Sequence, residues 1–174
     1  DVTWRAVPSR AAILHAVSVP AVGGDTLFSD MCAAYDGLDD STKERIEGLA
    51  AVHDYARAFG HGLDADAMAE MRAAYPPVEH PVVVRHPDSG RRALYVNRIF
   101  TDHLVDVPAD ESRALLALLC SQADLPEYQC RFRWTDDAVA CWDNVAVQHY
   151  AASDYWPHVR IMERASVIGT RPTA

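Results

Sequence analysis

A carboxylate, a distant histidine and an arginine beyond it could together do metal chemistry in this sequence. Asp1 opens the chain, His149 lies near its other end, and Arg160 follows the histidine by eleven residues. A histidine and a carboxylate are two ligands of the two-histidine, one-carboxylate site, which leaves coordination positions open for a co-substrate and oxygen. The three residues therefore suit a non-haem iron oxygenase.

A second arginine, Arg164, lies four residues after Arg160 in a stretch with strand character. Residues at even spacing on a strand share one face, so both guanidiniums can point into the same interior. Two buried guanidiniums are costly unless each meets an anion. The pair therefore favours two anion contacts. The alternatives are a surface salt bridge for Arg160 and, for Arg164, a protein carboxylate such as Asp143 or Glu163.

The elements that must position these residues are mostly strands. Apolar runs and alternating patterns predict strands over residues 11–19, 26–28, 80–86, 92–96, 128–134, 138–142 and 160–168. Helical spacing predicts helices over 39–52, 64–75 and 108–123, the first capped by Asp40 or Ser41. Many short strands with a few inserted helices predict a mainly β fold with helical insertions (α+β), a sandwich or a jelly roll.

Length and charge limit the classes of protein to consider. A chain of 174 residues favours one domain with a real core. The net charge is -9 and no run of Lys or Arg stands out, so a nucleic acid partner is not expected. No apolar run approaches the roughly 20 residues of a membrane span, so no membrane partner is expected either.

The four cysteines, Cys32, Cys120, Cys130 and Cys141, form no C-x-x-C pair. They are expected to be buried free thiols of a protein in the reducing cytoplasm rather than disulfides.

Several motifs carry a resemblance to a known family. They are DVTW at 1–4, GGDTLF at 23–28, HPVVVRHPDSGRRALYVN at 80–97 and WDNVAVQHYAASDYWPHVRIMERASVIG at 142–169. Together they resemble the taurine dioxygenase (TauD/TfdA) family of Fe(II)- and 2-oxoglutarate-dependent dioxygenases. The motifs occur in the right order at compatible spacing across essentially the whole chain. The resemblance implies a double-stranded β-helix, the cupin-like jelly roll.

The resemblance also implies roles for individual residues. Asp1 and His149 match the catalytic metal ligands for Fe(II), and Arg160 with Thr26 matches the group that holds the far carboxylate of 2-oxoglutarate. The residues that it assigns to substrate binding are Arg164, Val2, Phe59 and Phe100.

By the same resemblance, O2 and 2-oxoglutarate are co-substrates in the hydroxylation of a small anionic substrate such as taurine or another alkylsulfonate. The products would be sulfite, an aldehyde, succinate and CO2. An alkylsulfatase or an aryloxyacetate dioxygenase of the same family is the alternative, and a homo-oligomer is possible because the family often forms them.

The family's other histidine ligand stands two residues before the carboxylate, and that position precedes Asp1. We therefore expect residues 1–174 to form a single dioxygenase domain that is incomplete at its N-terminus. Two further hypotheses belong to other classes: a non-catalytic jelly-roll module that binds an anion through Arg160 and Arg164, and a cupin-type metal hydrolase or isomerase.

Overall fold

Eleven strands and five helices make up the computed structural model, which describes all residues from 1 to 174. The strands are β1 (Ser9–Ser18), β2 (Thr26–Asp30), β3 (Ala50–His53), β4 (Val78–Pro81), β5 (Val83–Arg85), β6 (Arg92–Leu94), β7 (Thr101–Leu104), β8 (Gln129–Phe132), β9 (Val139–Asp143), β10 (Val147–Ala151) and β11 (Ile161–Ile168). The helices are α1 (Met31–Asp36), α2 (Asp40–Ile46), α3 (Ala56–Phe59), α4 (Ala65–Ala74) and α5 (Ala109–Ser121). No helix combines the length and apolar character that a membrane crossing requires.

Two three-stranded antiparallel sheets face each other and form the jelly roll. Their strand orders are β11-β1-β9 and β10-β2-β8, so strands from opposite ends of the chain become neighbours. Trp142 on β9 packs against Phe28 on β2, with 5.3 Å between the ring centroids, and against His149 on β10, at 4.9 Å. Side chains from both sheets therefore meet in one layer. This is the mainly β architecture with helical insertions that the sequence predicts.

The main hydrophobic core lies beside this layer, where α1 packs against β6 and α5 approaches β7. The Asp30 carboxylate caps α1 by accepting the backbone N–H groups of Cys32 and Ala33 at 2.8 and 3.0 Å. The largest buried aliphatic side chains of this core are Met31, Ile46, Leu94, Leu104 and Leu119. The core thus holds β2 and the loop after β6 in place, and both contribute to the site.

The helix predicted over 39–52 is wrong in its second half. α2 ends at Ile46, and Gly48 adopts a φ of +73°, a left-handed conformation that favours glycine and cannot continue a helix. Residues Ala50–His53 instead form β3, because they pair with β4 on one side and β7 on the other. The cap is Asp39, one residue earlier than predicted, and its carboxylate accepts the backbone N–H of Thr42 at 2.9 Å.

All four cysteines are free, but the expectation that all are buried is wrong. Cys32 and Cys120 are buried, whereas Cys130 and Cys141 are exposed. Cys130 lies on β8, an edge strand, and Cys141 lies opposite Ile13 on the outer face of its sheet. An alternating sequence pattern distinguishes the two faces of a strand. It does not show whether the strand lies at the edge of a sheet, where even the inward-facing side chains can be exposed to solvent.

Candidate active site

Asp1 and His149 meet although 148 residues separate them. Nε2 of His149 lies 3.1 Å from Oδ2 of Asp1, and both side chains are mostly buried. Burial lowers the pKa of His149 to about 4, and the positive charge of Arg164 acts in the same direction. The imidazole is therefore neutral at pH 7, which is the form that binds a metal.

The position of His149 follows from the pairing of β10 with β2. His149 stands opposite Phe28 in this ladder, and its ring lies 6.1 Å from that of Phe28. The neighbouring residue on β10, Gln148, donates from Nε2 to the carbonyl oxygen of Val96 at 2.7 Å. Aromatic rings thus surround the imidazole, and a side-chain hydrogen bond ties its strand to the loop after β6.

A cavity of about 280 Å³ opens beside this pair. Its wall includes Asp1, His149, Asn97, Phe100, Tyr95 and Val147. The cavity brings one carboxylate and one imidazole to a mostly apolar wall, as expected for a small-molecule site with few orienting polar groups. No group of three or more His, Cys, Asp and Glu side chains is placed to hold a metal ion, so these residues supply two protein ligands at most.

Thr26 and Arg160 are joined through a residue that the sequence did not single out for chemistry. Trp134 donates from Nε1 to Oγ1 of Thr26 at 2.9 Å, and the guanidinium of Arg160 lies 5.6 Å from the centre of the Trp134 ring system. The sequence signal that could have indicated Trp134 is the alternating pattern over 128–134, in which Trp134 and Phe132 fall on the same face of the strand. Thr26 shares a face of β2 with Phe28, two residues on, so this group adjoins the aromatic layer around His149.

The guanidinium of Arg160 has buried nitrogen atoms that the protein leaves without a hydrogen-bond partner. Its Nε and Nη2 atoms are buried and have no hydrogen-bond partner. Unpaired buried donors are costly, and a carboxylate matches two of them in a bidentate pair. The two free donors of Arg160, beside Trp134, could therefore pair with the carboxylate of an organic acid.

Arg164 forms its ion pair with Asp1 and lies 5.8 Å from the centre of the Trp142 ring system. The alternative pairing with Asp143 or Glu163 is not found. Asp143 contacts Arg10 and His86, at 2.9 and 3.0 Å, and Glu163 contacts His15 at 3.4 Å. The structure thus directs Arg164 toward the predicted metal ligand.

Of the three apolar residues predicted to bind substrate, only one lines the cavity. Phe100 lines the cavity beside Asp1 and His149. Phe59 lies 6.3 Å from Phe100 between ring centroids, but it is 53% exposed and outside the cavity wall. Val2 also lies outside the cavity wall, in the backbone turn next to Asp1. Thr26, Arg160 and Arg164 are likewise outside the lining of this cavity.

Comparison with known proteins gives the family. The model of the taurine catabolism dioxygenase TauD, TfdA family matches residues 1–166, and the chain belongs to that family. It is 36% identical to the alpha-ketoglutarate-dependent sulfate ester dioxygenase of Pseudomonas putida, over 99% of this chain and 59% of the relative. It is 39% identical to the alpha-ketoglutarate-dependent 2,4-dichlorophenoxyacetate dioxygenase of Cupriavidus pinatubonensis, over 86% of this chain and 52% of the relative.

A solved structure shows the same fold. A taurine dioxygenase from Burkholderia xenovorans superposes with a TM-score of 0.86 at 34% identity, over 99% of this chain and 56% of that one. The chain spans about half the length of the curated relatives that it matches. The resemblance found in the motifs is therefore confirmed at the level of family and fold.

Proposed function

We propose that the protein containing these residues is an Fe(II)- and 2-oxoglutarate-dependent dioxygenase that hydroxylates a small anionic substrate, with an alkylsulfonate such as taurine as the first candidate. The observation that carries this proposal is the contact of 3.1 Å between Nε2 of His149 and Oδ2 of Asp1 beside a cavity with a mostly apolar wall. Neutral imidazole and carboxylate together are ligands that suit Fe(II).

The donor set fits the metal and the keto acid. Asp1 and His149 would hold the iron, and the family resemblance places a third ligand, a histidine, two residues before Asp1. When bound, the iron would let O2 act as the oxidant for C–H hydroxylation: one oxygen atom would enter the substrate, and the other would enter succinate as 2-oxoglutarate is oxidised and loses CO2. Arg160 would pair with the far carboxylate of the keto acid through its two unpartnered nitrogens. Trp134, which is hydrogen-bonded to Thr26, would hold the guanidinium of Arg160 in position.

Substrate selection would depend on charge and on the aromatic wall. Arg164 would bind the anionic group of the substrate, and Phe100 would pack against its apolar part. Phe28 and Trp142 would exclude water from the imidazole of His149. Hydroxylation next to sulfur of a sulfonate gives a product that separates into an aldehyde and sulfite.

Sulfate esters and aryloxyacetates are the second candidates, because both are anions and relatives that act on each are similar to this chain. We also propose a cytoplasmic location, which the four free thiols support, since thiols persist in a reducing compartment.

Product analysis of the whole protein tests the function. It would be incubated with Fe(II), O2, 2-oxoglutarate and, in turn, taurine, a longer alkylsulfonate, an alkyl sulfate and an aryloxyacetate. Succinate with sulfite supports the sulfonate proposal, whereas succinate with sulfate or with a phenol selects a second candidate. His149→Gln should abolish turnover, while the same change at the exposed His103 should leave it unaltered.

Turnover of a substrate without O2 or 2-oxoglutarate would instead identify a metal hydrolase or isomerase. Anion binding without succinate formation by the wild-type protein, whichever substrate is offered, would identify a non-catalytic binding module and refute the proposal.

A further inference from the structure

Residues 2–5 form a turn directly after Asp1, called the Asp1 turn, and it contains a strained residue. Val2 has a φ of +46°, and its carbonyl oxygen accepts the backbone N–H of Arg5 at 3.0 Å. A left-handed conformation is unfavourable for a β-branched residue, and such strain persists where the surrounding structure enforces it. The contacts that enforce it therefore act on the backbone next to Asp1.

His80, from β4, holds the backbone of this turn. Its Nε2 lies 2.8 Å from the carbonyl oxygen of Thr3 and 3.0 Å from that of Arg5. Both partners are acceptors, so Nε2 carries the proton and donates to the two carbonyl groups. One buried imidazole thus binds the backbone of two residues of the turn.

The hydroxyl group of Thr3 fastens the same turn at a second point. Oγ1 of Thr3 lies 2.9 Å from Nδ1 of His53, on β3, and accepts a hydrogen bond from Nδ2 of Asn97 at 3.0 Å. Thr3 and His53 are both buried. Partners from β3, from β4 and from the loop after β6 therefore converge on residues 3–5.

Asn97 also organises the loop that carries Phe100. Its Oδ1 accepts the backbone N–H groups of Ile99 and Phe100, at 3.1 and 2.8 Å. One carboxamide thus joins the Asp1 turn to a side chain of the cavity wall. A shift of either segment would be passed to the other through this group.

Apolar packing alone does not account for the two histidines. His53 and His80 are almost completely buried, and their second ring nitrogens, Nε2 and Nδ1 respectively, have no hydrogen-bond partner. A buried polar atom without a partner is unfavourable, so apolar residues would serve better if filling space were the only role. Unlike apolar side chains, these two imidazoles form hydrogen bonds with the turn, which gives a reason for their presence at buried positions.

We infer that His53, His80 and Asn97 are positioning residues, which act through Thr3 and the turn backbone to hold the Asp1 carboxylate toward His149. The inference rests on the proposed function, because it gives these residues a role through Asp1 as a metal ligand. Groups that orient metal ligands commonly change metal affinity by about 10- to 100-fold when they are removed.

A matched pair of substitutions at Thr3 tests the inference. Thr3→Val keeps the shape of the side chain but removes the hydroxyl group, whereas Thr3→Ser keeps the hydroxyl group. The dissociation constant of Fe(II), or of Mn(II) as an air-stable probe, would be measured by calorimetry on the whole protein without oxygen. We expect Thr3→Val to weaken metal binding by about tenfold or more, and Thr3→Ser to stay within about twofold of wild type.

A second pair tests the clamp on the backbone. The amide nitrogen of Gln can take the place of Nε2 in His80→Gln and donate to the same carbonyl groups, whereas His80→Leu has no donor. We expect metal affinity to be largely retained in His80→Gln and lost by about tenfold in His80→Leu. The affinity for 2-oxoglutarate should change little in either variant, because Thr26 and Arg160 lie on other segments.

A core substitution separates positioning from general destabilisation. Ile46→Val removes a methylene group from a fully buried site in α2, so it lowers the melting temperature without touching the turn. Its metal affinity should equal that of wild type. Equal metal affinity in Thr3→Val and Thr3→Ser, or an equal loss in Ile46→Val, would overturn the inference. A wild-type protein that binds neither metal ion would refute the proposed function itself, and the inference with it.

Discussion

Arg164 contacts the same carboxylate oxygen of Asp1, Oδ2, that lies 3.1 Å from His149. A cation at this oxygen competes with a metal ion for the same lone pairs. We therefore expect Arg164→Gln to strengthen metal binding in the substrate-free protein by up to about fivefold, because a partly exposed ion pair contributes at most about 1 kcal/mol. Calorimetric titration with Mn(II) measures this change.

The same substitution should have the opposite effect on an anionic substrate. A charge-assisted hydrogen bond contributes about 1.5–3 kcal/mol, so the KM for the substrate should rise by about 10- to 100-fold. Arg113→Gln, which removes an exposed guanidinium that pairs with Asp110, is the matched control and should change neither quantity. An unchanged KM in Arg164→Gln would show that this arginine only neutralises Asp1.

The second prediction concerns the guanidinium of Arg160 and its two unpartnered nitrogens. Arg160→Lys keeps the positive charge but loses the planar fork that pairs bidentately with a carboxylate. We expect the KM for 2-oxoglutarate to rise by about tenfold or more while kcat at saturating 2-oxoglutarate falls much less. Arg131→Lys is the control, because Arg131 is largely exposed and its partner is Asp25. Equal KM values in the two variants would contradict the assignment.

The sequence predicted well those elements, helices and a hairpin, that local hydrophobic patterns and turn residues define. The helices α4 and α5 and the β5–β6 hairpin lie within a few residues of their predicted positions. Strand β3 was mistaken for the end of a helix, because what makes it a strand is pairing with β4 and β7, and both lie far along the chain. Strand β10 was missed, since it carries polar Gln148 and His149 where a regular strand would place apolar residues.

The same contrast between local patterns and long-range contacts applies to the candidate site. Motif spacing singled out Asp1 and His149, and the structure brings them together. The contact of Trp134 with Thr26 and the contacts of His80 with the Asp1 turn could not be predicted, because each joins segments that are distant in sequence, and a motif does not show which other segment it touches. Residues that carry the chemistry can be predicted from motifs in the sequence. The residues that orient them can be identified only once the pairing of the strands is known.

The third prediction concerns Gly24, whose backbone lies against Arg160. A Cβ atom at this position would lie 3.1 Å from Cδ of Arg160 and 3.2 Å from Cδ1 of Tyr155. Gly24→Ala should therefore displace the arginine and raise the KM for 2-oxoglutarate several-fold. The φ of +74° adds a stability cost of about 1–2 kcal/mol, because alanine is disfavoured in the left-handed region.

Gly62→Ala is the matched control for this substitution. Gly62 has a similar φ of +80°, but nothing lies within 4 Å of a Cβ atom there. Both variants should lose similar stability in urea unfolding, and Gly24→Ala alone should bind 2-oxoglutarate more weakly. The same KM in both variants would show that Gly24 serves the turn and not the position of Arg160.

The last prediction concerns stability and pH. His53 is completely buried, and burial lowers its pKa to about 3, with the charge of His80 acting in the same direction. An unfolded histidine titrates near pH 6.5, so between about pH 3 and 6.5 the unfolded chain binds a proton that the folded chain does not. The stability that neutral His53 contributes is therefore fully present above about pH 6.5. It falls by about 1.4 kcal/mol for each pH unit below that value.

The groups that face His53 support the same sign. The ring of His80 lies 5.2 Å away, and burial lowers its pKa too, while Tyr95 lies 6.1 Å away. Urea unfolding between about pH 4.5 and 7.5 measures the slope of stability against pH. His53→Asn cannot titrate, so its slope below about pH 6.5 should be shallower by about 1.4 kcal/mol per pH unit, whereas the exposed His103→Asn should keep the wild-type slope. If His53→Asn and wild type lose stability equally fast on acidification, His53 is not the buried neutral group that controls this behaviour.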